Sequence, residues 1–75
     1  MENREIRTER FKRLASLRTN SVINRLRVLG HCANKSAYDY EEKDVNKIFS
    51  AIEDELRLTR AKFKAEGRKD RTFRL

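Results

Sequence analysis

The side chains able to do chemistry are few, and their spacing argues against most of it. His31 and Cys32 are the sole histidine and cysteine, and they are neighbours in the chain. Structural zinc needs four ligands and catalytic zinc usually three. Adjacent residues seldom give the side-chain geometry of a Cys-His nucleophile pair. Glu53, Asp54 and Glu55 are successive carboxylates, but on a helix such neighbours fan out at ~100° per residue instead of converging. No glycine-rich phosphate loop is present. The expectation is a protein that is not an enzyme, with no metal and no cofactor.

What remains is charge. The 75 residues hold 19 Lys and Arg against 12 Asp and Glu, a net +7 that favours polyanions, acidic protein surfaces or anionic membranes as partners. Arginine outnumbers lysine, which suits forked contacts to phosphate or carboxylate. The residues expected to contact nucleic acid are Arg7, Arg10, Arg13, Arg57, Arg60, Lys64, Arg68, Lys69 and Arg71. Arg57, Arg60 and Lys64 project to one side of a helix, and Arg10 and Arg13 share a flank of another. No base-reading signature accompanies them, so contact would follow shape and the phosphate backbone of DNA or RNA. The plain alternative is a solvated surface that keeps the chain soluble. Tyr38 and Tyr40 are the candidates for contact with a base or a protein partner, or else fold back over the helix ends.

Two helices must position these groups. Val45, Ile48, Phe49, Ile52, Leu56 and Phe63 fall within roughly 50° of one line at ~100° per residue. Glu42 and Asp44 open that segment while Arg57, Arg60, Lys62 and Lys64 crowd its end, as the helix dipole prefers. Glu53 and Arg57 form a favourable i,i+4 pair, and Gly67 is expected as a left-handed C-cap. Upstream, Phe11, Leu14, Ala15, Val22, Leu26 and Leu29 line one side of a helix over residues 3–29, with Asn3 as N-cap and Gly30 as C-cap. A break at Thr19-Asn20-Ser21 is the alternative to one continuous helix. Residues 4–10 carry little apolar surface and are expected to fray.

The organisation expected is all-α, one domain over 1–75: helix 3–29, loop 30–41, helix 42–66 and a basic tail 67–75. With no proline and two glycines, the chain reads as long helices and few turns. An antiparallel hairpin centred near residue 35 would set Arg18 opposite the Glu53–Glu55 turn and Arg25 near Asp44. There these arginines could fix register, or their stems could pack while their heads reach water. The same hairpin gathers thirteen bases and five acids at one pole, about +8.

A lone hairpin is marginal, because each ordered residue costs ~1–2 kcal/mol of backbone entropy. One cysteine cannot staple a monomer. A homodimer forming a four-helix bundle is the expected remedy, and a monomer holding its apolar face for another protein is the competitor. No apolar run exceeds two residues, so no membrane span and no secretory signal are expected, and the setting would be cytoplasmic. The arginine-interrupted stripes also fit helix packing better than a membrane surface.

Arg18-Thr19-Asn20, Leu29-Gly30, Asn34-Lys35-Ser36, Tyr38-Asp39-Tyr40 and the run from Asp44 to Glu53 together resemble small helical proteins of Gram-positive bacteria, their plasmids and their phages. The likeness covers roughly residues 10 to 64. These relatives have no assigned activity, so the resemblance transfers no functional residue. It implies a short helical protein from a mobile element, an inhibitor or accessory that docks on a larger machine. In that pattern a Thr or Ser often precedes the second helix, and Glu41 stands there instead.

Overall fold

The structure, a computed structural model, describes residues 2–69 and is all-helical over them. Helix α1 spans Glu2–Gly30, a short 3-10 turn follows at His31–Ala33, and helix α2 spans Glu42–Lys69. No strand occurs among the described residues. The chain divides into two compact units, residues 1–39 and 40–75.

In the first unit, α1 is continuous through Thr19-Asn20-Ser21. Their polar side chains compete for backbone hydrogen bonds only weakly, and nothing in the helix has proline's missing N–H. Residues 4–10 are helical, and Thr8 Oγ1 donates to the Arg4 carbonyl at 2.9 Å, bonding back one turn. Two expected caps are absent. Asn3 lies inside the helix rather than before it. Gly30 has φ −58° and ψ −24°, right-handed values, so it extends α1 instead of stopping it in the left-handed region.

Asn34 is where the chain leaves the helical path, at φ −68° and ψ 101°. Its carbonyl accepts from Ala37 N–H at 3.1 Å and Tyr38 N–H at 3.0 Å, and its side-chain oxygen accepts from Ser36 N–H at 3.0 Å. Asparagine is favoured here because its side chain copies a backbone acceptor two residues back from the donor. One residue thus closes the turn through both its main chain and its side chain.

In the second unit, α2 begins with a reciprocal cap. The Glu41 carbonyl accepts from Asp44 N–H at 3.0 Å and Val45 N–H at 3.3 Å, while Glu41 N–H donates to Asp44 Oδ2 at 2.9 Å. Glu42 and Asp44 also place negative charge in the first turn. The expected end at residue 66 is passed. Gly67 lies within α2, and no described glycine has a positive φ, so it is not a left-handed C-cap. Lysine, alanine and glutamate around it are good helix formers, and glycine in a helix costs only ~1 kcal/mol relative to alanine. Residues 67–69 of the expected tail therefore belong to α2. Asp70 to Leu75, including Arg71, lie outside the described residues.

No described residue is buried. Leu14, Ala15, Leu29, Tyr40, Val45 and Ile52 are half-buried. The rest of the α2 stripe is open: Phe49 is 48% exposed, Leu56 59% and Phe63 62%. A large apolar side chain is worth ~1.5–3 kcal/mol when fully covered. Helix formation alone has collected little of that, so the stripe remains an unused source of stability.

Candidate nucleic-acid interface

On α1, Arg7, Arg10 and Arg13 are exposed and follow one another at i,i+3 steps. Each step turns the helix by 300°, so the three form an oblique row climbing ~9 Å along the axis at ~1.5 Å per residue. Arg7 projects onto the same side as Phe11 and Leu14, whereas Arg10 and Arg13 lie progressively off that side.

On α2, Arg57, Arg60 and Lys64 are exposed and fall within a sector of about 60°. They span ~10 Å of helix, about three nucleotide steps of a B-form strand at ~3.4 Å each. Arg68 and Lys69 continue the backbone in the last turn. Within each unit, then, three of the expected cationic residues come together: Arg7, Arg10 and Arg13 on α1, and Arg57, Arg60 and Lys64 on α2.

Arg57 is partly spoken for. Its Nη2 donates to Asp54 Oδ1, an exposed i,i+3 ion pair. The expected partner was Glu53, and the correction follows from direction. Side chains three and four apart are both neighbours on a helix, and here the arginine fork takes the i,i+3 carboxylate. Such a pair leaves Arg57 accessible, since exposed ion pairs exchange readily for a phosphate. A second exposed pair, Lys43 Nζ to Glu41 Oε2 at 3.4 Å, lies at the opposite end of the helix.

Tyr38 is 54% exposed, while Tyr40 is half-buried, so the two rings do not make an equal pair of stacking platforms. Cys32 is a free, exposed thiol. Among the described residues, no group of three or more His, Cys, Asp or Glu could hold a metal ion. No described helix is long and apolar enough to cross a membrane.

The role of Asp54 as a partner for the cationic row was missed because i,i+3 and i,i+4 carboxylates stand side by side in Glu53-Asp54-Glu55. The exposure of the α2 stripe had no signal in the residues themselves, since an amphipathic pattern shows that a face is apolar but not whether it is covered. No protein family, curated protein or solved structure matches the chain.

Proposed function

We propose that this chain is a non-enzymatic accessory protein that contacts a nucleic acid or nucleoprotein through a basic pole. In this reading α1 and α2 fold back antiparallel, so that the Arg7-Arg10-Arg13 row and the Arg57-Arg60-Lys64 row gather at one end. Two hairpins then associate as a four-helix bundle. Collecting that much like charge is unfavourable by itself, and a polyanion relieves it while releasing its condensed counterions. The observation that carries the reading is the exposed, one-sided row of Arg57, Arg60 and Lys64 on α2. Contact would be to backbone phosphates, because nothing on either helix supplies a base-reading set. The resemblance to mobile-element proteins of Gram-positive bacteria fits an accessory of this kind, acting in the cytoplasm.

The test is a salt titration with duplex DNA, duplex RNA and single strands. Affinity should fall steeply between low and physiological salt. Absence of binding to every one of these polymers at low salt would remove the phosphate assignment.

A second reading is a protein-binding module or inhibitor docking through the apolar stripe and the Tyr38/Tyr40 loop. The exposure of Phe49, Leu56, Phe63 and Tyr38 favours it. Salt-tolerant capture of a single cellular protein, unaffected by nuclease, would distinguish it from the first.

A further inference from the structure

We propose that the part of the apolar stripe of α2 from Ile52 to Phe63 is covered by the same part of a second copy of this chain, laid antiparallel across it. The inference rests on the dimer put forward above and specifies its contact surface and direction. Val45, Phe49, Ile52, Leu56, Thr59 and Phe63 recur at alternating steps of four and three within α2. That is the 3.5-residue spacing of a coiled-coil seam. None of these positions is buried within a single chain.

Charge identifies the occupant. Residues 42–55 hold five acids and two bases, a net −3, while residues 56–69 hold six bases and one acid, a net +5. Helix α2 is therefore bipolar along its length. A second α2 running the same way sets basic half beside basic half. Running the opposite way, each basic half meets an acidic one, and the helix dipoles also oppose. Helix α1 is a poorer match, with a net +2 over residues 2–15 and +3 over residues 16–30.

The positions flanking the seam make the match specific. Glu53 and Arg60 occupy one flank and Glu55 and Lys62 the other, each pair seven residues apart. With the two-fold axis between Arg57 and Leu58, Glu53 faces Arg60 of the second copy and Glu55 faces its Lys62. Symmetry repeats both pairs. Ile52 then layers on the second copy's Phe63, and Leu56 on its Thr59, while Phe49 falls beside its Glu66 and Val45 lies outside the paired stretch. Centring the axis on Asp54 would overlap all six seam positions, but it sets Glu53 against Glu53 and Glu55 against Glu55 of the second copy.

The experiment places a spin label on the full chain carrying Cys32→Ser and Lys43→Cys, far from the seam, and measures the distance between copies. At ~1.5 Å per residue and a helix diameter of ~10 Å, the antiparallel seam puts the labels about 45 Å apart or more. A parallel pair gives about 20 Å and the Asp54-centred seam about 40 Å or less, and either overturns the proposal. As a second measurement, Glu53→Lys/Glu55→Lys and Arg60→Glu/Lys62→Glu chains are each expected to dimerise at least about tenfold more weakly than the parent, since four attractions become repulsions. Mixed in equal amounts, they should restore a one-to-one dimer, and no recovery on mixing counts against the flanking pairs. A parent chain that sediments as a monomer up to millimolar concentration removes the dimer reading as well. A dimer with the short label distance removes only this inference.

Discussion

The Asp44 carboxylate accepts the backbone N–H of Glu41 at 2.9 Å, three residues before it, while the Glu41 carbonyl accepts the N–H of Asp44 at 3.0 Å. The start of α2 is thus held from the third helical position backwards, with Glu41 rather than a Thr or Ser standing before it. In a capping box the third residue serves the first in this way, and an aspartate reaches as well as a glutamate.

Asp44→Ala is expected to cost about 1 kcal/mol of helix stability, within the usual range for caps. Asp44→Asn should recover part of that, because it keeps an acceptor but loses the charge facing the helix dipole. Thermal melts followed by circular dichroism compare the three chains. Equal midpoints for all three would show that the bond does not hold the helix start.

Gly30 and Gly67 have open space where a β-carbon would go, and both lie in helix with no positive φ. Gly67→Ala and Gly30→Ala should therefore each stabilise the chain by roughly 0.4–1 kcal/mol. A left-handed cap would respond with the opposite sign. The sign of the shift in helix content and melting midpoint decides between them.

Asp54→Asn should change stability by no more than about 0.5 kcal/mol, because its pair with Arg57 is exposed on both sides, at 76% and 62%. The same change frees Arg57 and should leave polyanion binding equal or slightly tighter. A loss of several kilocalories in the melt would mean that Asp54 has a partner other than Arg57.

Neutralising Arg60, Lys64, Arg68 and Lys69 together should lower nucleic-acid affinity and flatten its dependence on salt. For every phosphate left without its cation, the logarithmic salt slope should shrink by about 0.9 on duplex DNA. Within one chain Arg60 and Lys64 are exposed, so helix content is to be compared at a protein concentration where parent and variant show the same oligomeric state. An unaltered slope would place phosphate binding elsewhere on the chain.

The two helices could be read from the residues because their apolar positions keep phase, from Phe11 to Leu29 and from Val45 to Phe63. The continuity of α1 across Thr19-Asn20-Ser21 followed from the same phase. Their ends were harder to read. Glycine is compatible with either helical hand, so Gly30 and Gly67 looked like stops, while good helix formers around Gly67 carry α2 on to Lys69. Asn3 met the requirement for a cap, yet α1 already includes Glu2. The cationic rows were visible as spacing, but the choice of Asp54 over Glu53 by Arg57 depends on rotamers that spacing does not encode. Whether the stripe of α2 is sheltered depends on a second surface, and one chain's pattern holds no record of that.

Among the described residues no apolar side chain is fully buried within one chain, so in the proposed dimer order is set by abundance. Pairing is a two-body event, so when total copies are scarce the ordered share drops faster than the supply. Unpaired copies are then the ones a protease finds open. Under the proposed dimer, synthesis rate then sets the ordered share directly.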